Sequence, residues 1–143
     1  MKYLLDTNVV SELLRAKPNE RVDAWVRARA AADMAISAIT AAEMLYGVRQ
    51  MPAGRRRQAV EQAVAAALEQ AFAGRILSFD ARCAAVYADV MTQRRAMGRP
   101  VQIPDAQIAA IAQRDGLVLV TRNVRDFDEL GLAVVDPWVA EAA

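Results

Sequence analysis

Residues 3–8, "YLLDTN", decide how the rest of the chain is read. Three apolar residues of strand character run into an aspartate and two small polar residues, the pattern of a buried strand that stops where a helix starts. Two readings of Asp6 are open. As a helix cap it accepts hydrogen bonds from the free N–H groups of a first turn. As a metal ligand it carries negative charge to the rim of a sheet.

Outward from this segment, apolar runs of strand length recur at "MAIS" (34–37), "RILSF" (75–79), "LVLVT" (117–121) and "LAVVD" (132–136). Longer segments with helical spacing separate them, which predicts an α/β fold with a mainly parallel sheet of about five strands covered by helices. The first two helical segments, "VVSELLR" and "ERVDAWVRARA", are parted by a turn at Pro18, because proline removes a helical hydrogen bond and clashes with the preceding turn. "TAAEMLYGVRQM" follows the second strand, and an alanine-rich amphipathic helix is expected from Arg55 to Ala73, ending at Gly74. Asp80 is expected to cap the helix "ARCAAVYADVMTQRRAM", and "PDAQIAAIAQRDG" has proline near its start and glycine at its end, as a short helix should.

The chain of 143 residues suits one domain spanning 1–143, with no apolar run near the roughly 18 residues of a membrane span. No secretory leader is visible at its start, so the expected compartment is the cytoplasm. The single cysteine, Cys83, reads as a small buried residue of a helix. The complete absence of histidine excludes Ser-His-Asp triads, Cys-His pairs, His-ligated zinc and imidazole acid–base chemistry. Catalysis must rest on carboxylates, metals or Arg and Lys. A formal net charge of +1 also excludes a protein that coats nucleic acid through bulk positive charge. Arginine clusters at Arg55–Arg57, at Arg94, Arg95 and Arg99, and at Arg122 and Arg125 read first as solvated faces.

In an open parallel sheet, ligands bind beyond the carboxyl ends of the strands. Four acidic features fall there: Asp6 after the first strand, Glu43 in the first turn or so after the second, Asp105 at the start of the helix leading to the fourth, and Asp126 in "TRNVRD" leaving the fourth. Each has a plain structural explanation. Asp6 caps a helix; Glu43 closes a Thr-x-x-Glu capping box with Thr40; Asp105 favours a helix dipole; Asp126 sits in an exposed turn. Gathered at one edge, however, the four would repel one another and raise one another's pKa unless a cation compensates them. Magnesium or manganese takes carboxylate oxygens, keeps several waters and serves phosphodiester hydrolysis without an imidazole.

The ordered set "LLDTNVVSELLR", "ITAAEMLYGVR", "IPDAQIAAIA" and "LVTRNVRDFDELGLAVVDPW" resembles PIN-domain ribonuclease toxins of the VapC type, in their FitB-like branch. The resemblance covers essentially the whole chain. It implies a three-layer α/β/α sandwich and a magnesium- or manganese-dependent endoribonuclease that acts as the toxin of a type II toxin–antitoxin pair. It further implies a homodimer, a cognate antitoxin that blocks the acidic site by inserting an Arg or Lys, and a toxin–antitoxin hetero-oligomer.

Carried over by position, the family's acids fall on Asp6, Glu43 and Asp105. Many members place a fourth acid where this chain has Asn123, and the nearest carboxylate is Asp126. Asp126 is therefore expected in the pocket and Asn123 as an orienting amide. Thr7 and Asn8 are expected to arrange the turn beside Asp6, Thr121 to fix a carboxylate or water, and Arg122 and Arg125 to face RNA phosphates.

Two rivals stand beside this reading. An aspartyl-phosphate phosphatase also begins with a strand ending in Asp, but it wants a second Asp where Asn8 stands. A PIN-like module that binds RNA or protein without cutting would need no charge at Asn123. No aromatic platform for single-stranded bases is evident, since Tyr3, Tyr46, Phe79 and Tyr87 all read as core.

Overall fold

A computed structural model describes residues 1–141. All five expected strands form: β1 (Tyr3–Leu5), β2 (Met34–Ser37), β3 (Ile76–Leu77), β4 (Val118–Val120) and β5 (Val134–Val135). They make one sheet of order β3-β2-β1-β4-β5, and every neighbouring pair is parallel. Six α-helices connect them: α1 (Thr7–Leu13), α2 (Glu20–Arg27), α3 (Ala38–Gln50), α4 (Arg55–Ala66), α5 (Cys83–Ala96) and α6 (Ile103–Asp115).

Period-two alternation along the strands builds two cores. Leu4, Ala35 and Leu119 pack with Cys83, Val90, Ile108 and Ile111 of α5 and α6. Leu5, Met34, Ile36 and Val120 pack with Val9, Val10, Val22, Trp25, Met44 and Val64 of α1 to α4. The result is the expected three-layer sandwich, each fully buried Leu or Ile contributing about 2 kcal/mol of transfer free energy. Helix α6 is the most deeply inserted element, with Ala106 and Ile108 to Ala112 all buried. Gly116 ends it in the left-handed region at φ 64°, and β4 follows two residues later.

The connections fix where a site can form. From β1 the chain steps outward to β2 and β3, then returns past β1 to β4 and β5 on the other side. The reversal leaves a crevice at the carboxyl ends of β1 and β4, the usual binding position in such sheets. Asp6 follows β1 directly, and Thr121 follows β4 directly.

Several local expectations change. The segment from Arg55 to Ala73 is not one regular helix, because α4 passes into a π turn over Ala67–Ala71, where Phe72 N–H donates to Ala67 O at 2.9 Å. That turn leaves Phe72 packed against the α1–α4 core. Helix α2 ends at Arg27, earlier than the apolar pattern suggests, and a 3-10 turn at Ala31–Asp33 leads into β2. Asp80 does not cap α5: its carboxylate accepts from Arg82 N–H at 3.0 Å, and the helix starts at Cys83. Tyr46 is 64% exposed rather than core. Among the described residues no helix is long and apolar enough to cross a membrane.

Candidate active site

Asp6 meets the first of its two sequence readings, the helix cap. Its backbone is extended, φ −72° and ψ 161°, and it is the N-cap of α1. One carboxylate oxygen, Oδ1, accepts from Thr7 N–H at 2.8 Å, leaving Oδ2 to accept from the Thr121 hydroxyl at 2.7 Å and from Asn8 Nδ2 at 3.4 Å. The residue is 4% exposed. Burial is the largest influence on it and raises its pKa; the Thr121 and Thr7 donors pull the other way, and the charges of Glu43 and Asp126 add to the rise.

Thr121 ties the ends of β1 and β4 together. Its proton goes to Asp6, so its oxygen is free to accept from Asn8 Nδ2 at 3.2 Å and from Asn123 N–H at 3.1 Å. Asn8 completes the junction by accepting from Arg122 N–H at 3.3 Å. Thr7 and Asn8 thus arrange the turn beside Asp6, and Asn123 contributes its main-chain N–H rather than its side chain. The Asn123 side chain is exposed.

Glu43 lies in the second turn of α3, not the first, and the capping box expected with Thr40 does not form. The N-cap is Ser37, whose Oγ accepts from Thr40 N–H at 3.0 Å. The last strand residue takes the capping role, which starts the helix earlier and frees Glu43 from the backbone. Glu43 instead accepts from the Thr7 hydroxyl at 2.8 Å. Behind Thr7 stand Thr40, at 2.9 Å, and Ser37, whose hydroxyl donates to Thr40 at 3.3 Å. Each hydroxyl has one proton. With Thr7 donating to Glu43, the protons run one way, from Ser37 to Thr40 to Thr7 to the carboxylate. Ser37 and Thr40 are fully buried and were not singled out in the sequence; their signal was that "SAIT" supplies hydroxyls three residues apart across a strand end.

Asp105 occupies the first turn of α6, where the helix dipole favours its ionised form. Among the described residues its carboxylate has no hydrogen-bond donor. Burial, followed by the charges of Asp6, Asp126 and Glu43, pushes its pKa up to about 6. The rise shows which effects win: half-burial and three anionic neighbours outweigh the helix terminus. Asp126 sits in a 3-10 turn, Val124–Phe127, half-buried, with its N–H donated to Asn123 O at 3.0 Å. The charges of Glu43 and Asp126 therefore reach both Asp6 and Asp105 across the crevice. Among the described residues no group of three or more His, Cys, Asp or Glu is arranged to hold a metal ion.

Arg122 and Arg125 are both exposed at the rim. The Arg122 guanidinium lies 4.9 Å from the centre of the Trp138 ring, and Arg125 is held through its carbonyl. On the flank bearing Glu43, a groove of about 610 Å³ runs between α1, α3 and α4, lined by Thr7, Leu14, Glu43, Met44, Val60 and Val64.

The sequence profile described as PIN domain matches residues 3–132. Plasmid stability protein StbB of Pseudomonas syringae pv. tomato is 42% identical over 137 residues, which cover 96% of this chain and 99% of that protein. VapC ribonuclease Y4jK of Sinorhizobium fredii is 39% identical over 135 residues, 94% of this chain and 96% of its own. The solved structure of FitAcB from Neisseria gonorrhoeae superposes with a TM-score of 0.89 at 38% identity, covering 96% of this chain and 99% of that one. With acids at the sheet crevice, a profile that spans nearly the whole chain and relatives of this identity along its full length, the chain belongs to the PIN-domain family, in its VapC-type branch.

Proposed function

We propose that this protein is an endoribonuclease, the toxin of a toxin–antitoxin pair, that hydrolyses RNA phosphodiester bonds with Mg2+ or Mn2+ held at Asp6, Glu43, Asp105 and Asp126. The observation that carries this reading is Asp105, a carboxylate without a donor that responds to three other carboxylates. Such surplus negative charge fits a divalent cation. The donor set is all oxygen and free of histidine and thiolate, which matches a hard ion that binds through one or two carboxylates and retains waters. Water-mediated contacts also accommodate the absence of a closed ligand triad among the described residues. When bound, the cation supplies Lewis acidity toward the phosphodiester and lowers the pKa of a bound water.

The chain's own residues supply position. Thr121 and Thr7 N–H hold both oxygens of Asp6, so one orientation of that carboxylate is fixed before anything binds. The Thr7 hydroxyl reaches one oxygen of the exposed Glu43. Arg122, braced on Trp138, and Arg125 line the rim where RNA phosphates approach. The test is cleavage of RNA with Mg2+, with Mn2+ and with chelator, beside direct Mn2+ binding, on the wild type and Asp6→Asn. Cleavage that survives chelation or that substitution sinks the proposal.

The relatives' names support the partner reading. We assign a cognate antitoxin that covers the acidic pocket with an Arg or Lys, a homodimer as the toxin's own state, and the cytoplasm as its place of action. Antitoxin affinity should fall as Mg2+ is added; equal affinity with and without the ion places the contact elsewhere. A phosphatase is disfavoured by Asn8, whose side chain is committed to Asp6, Thr121 and the Arg122 backbone.

A further inference from the structure

Arg94 was read from sequence as one of a solvated arginine cluster, yet it is 3% exposed. A guanidinium removed from water needs its donors satisfied, at a desolvation cost of several kcal/mol if it is not. Its described partners are all main-chain carbonyls: Nε donates to Arg99 O at 2.9 Å, and Nη1 donates to Arg125 O at 3.2 Å and to Asp128 O at 3.1 Å. The last two acceptors bracket Asp126 on either side. Arg99 adds a second donor to Arg125 O at 2.9 Å and lies 3.9 Å from the Asp128 carboxylate.

The segment that carries Asp126 is anchored in the core through the buried side chains of Phe127 and Leu130, while its main chain makes no strand pairing at the acid itself. It is a single 3-10 turn between β4 and β5, and the following Glu129 has a positive φ of 62°. Its carbonyls are taken up by side chains from the α5 and α6 layer: Gln93 donates to Glu129 O, and Gln113 donates to Leu130 O at 2.7 Å. Among the described residues Arg94 is the one that holds the main chain on both sides of the acid from inside the protein, Arg99 doing so from the surface through Arg125 O and the Asp128 carboxylate. An apolar side chain at this position would leave the Arg99, Arg125 and Asp128 carbonyls without these donors.

We infer that Arg94, assisted by Arg99, is a positioning residue that holds Asp126 in the acidic pocket, so that this turn supplies the charge that Asn123 does not. This rests on the reading of Asp126 as a member of the site. Asp126 makes no side-chain hydrogen bond among the described residues, so its place depends on its backbone, and Arg94 fixes that backbone at two points.

The test is a double-mutant cycle on the full chain with Arg94→Lys and Asp126→Asn, reading Mn2+ affinity by electron paramagnetic resonance, kcat and KM for RNA, and the thermal midpoint. Arg94→Lys keeps a cation but is shorter and lacks the separate Nε donor to Arg99 O, so it cannot hold all three carbonyls as the guanidinium does. It is expected to weaken Mn2+ binding and lower kcat by roughly tenfold, the scale seen when a group orienting a ligand is lost, with KM little changed. In the Asp126→Asn background the same substitution should leave affinity and kcat where they are while still lowering the midpoint. An equal loss of Mn2+ affinity in both backgrounds overturns the inference, because Arg94 would then act through the fold at large. Wild-type behaviour of Asp126→Asn beside an inactive Asp6→Asn removes Asp126 from the site and the inference with it. Full activity in every variant, Asp6→Asn included, defeats the nuclease reading itself. If Arg94→Lys does not fold, Arg99→Ala, at an exposed residue with a donor on the same carbonyl, replaces it in the cycle and is judged by the same outcomes.

Discussion

Asp6 and Asp105 face each other across one crevice and are held in opposite ways. Asp6 is nearly sealed, and donors from Thr7, Asn8 and Thr121 reach its two oxygens. Asp105 is half-buried and has no donor among the described residues, and its pKa rises to about 6. One carboxylate is part of the scaffold and the other is charge in surplus. The difference teaches that membership of an acidic cluster says little about what a residue does for the fold: Asp6 caps a helix and joins two strands, whereas Asp105 is disfavoured by burial and by three anionic neighbours.

The sharpest break between the two comes from neutralising each. Both Asp6→Asn and Asp105→Asn should lower RNA cleavage by at least about a hundredfold, as expected when a charged group at a metal-dependent centre is removed. Their stabilities should diverge. In Asp6→Asn the new amide nitrogen meets the Thr121 hydroxyl, whose proton now has no acceptor there, so the metal-free protein should lose about 1–2 kcal/mol. Asp105→Asn removes repulsion and should gain about 1 kcal/mol near neutral pH, the full shift being discounted for solvent screening at a half-buried site. Urea unfolding of both variants in chelator checks the signs, and parallel destabilisation would erase the distinction.

Thr121→Val probes the scaffold half without touching a charge. It deletes the donor to Asp6 and the acceptor used by Asn8 and Asn123. Leaving buried polar partners unpaired should cost about 1–3 kcal/mol, and Mn2+ affinity should fall by roughly tenfold because Asp6 loses its orientation. Thr121→Ser should recover most of both losses. Recovery of neither would mean that the methyl group, not the hydroxyl, is what matters at that position.

How much of this was open to sequence reasoning follows the same division. The sheet was legible because its strands are short apolar runs that alternate with helical spacing, but the pairing of β1 with β4 that puts Asp6 beside Thr121 is a long-range feature that no local pattern records. The acids were legible as types at strand ends. Their partners were not. The capping box at Thr40 and Glu43 matched a local spacing rule, but Ser37 lies at the end of a strand and captures Thr40 N–H first, which a window reading of "TAAE" does not anticipate. Arg94 looked like one charge in a basic run, and only the tertiary path of residues 124–128 turns it inward. The π turn at Ala67–Ala71 leaves no mark in an alanine-rich stretch.

Proton linkage gives a third, gentler contrast. Asp105 ionises near 3.9 in an unfolded chain and at about 6 in the folded one. Between those values the folded state binds more protons, so metal-free stability is complete below about pH 4 and declines as pH rises through 6. The raised pKa of Asp6 acts with the same sign. On the proposed metal site, saturating Mg2+ should remove the decline by binding the ionised carboxylates of the folded state. Chemical denaturation from pH 4 to 8, with Mg2+ and with chelator, reads this directly; a stability that climbs with pH in chelator contradicts it. In Asp105→Asn the decline should shrink to the part owed to Asp6.

The smallest effect belongs to the hydroxyl row behind Glu43. Because Thr7 gives its only proton to the carboxylate, its oxygen depends on Thr40 for a donor, and Thr40 in turn depends on Ser37. Thr40→Val keeps the shape and removes the middle link, so Thr7 can rotate away from Glu43 without losing a partner on its other side. Glu43 is exposed and retains water as a substitute donor, which limits the cost. Mn2+ affinity should fall only about threefold, well under the roughly tenfold expected where the lost group touches the ligand itself. Thr40→Ser should be indistinguishable from wild type. If Thr40→Val matches Thr121→Val in size, then Glu43 is held as rigidly as Asp6, and the scaffold half of the site extends one helix further than the hydrogen bonds to Asp6 alone imply.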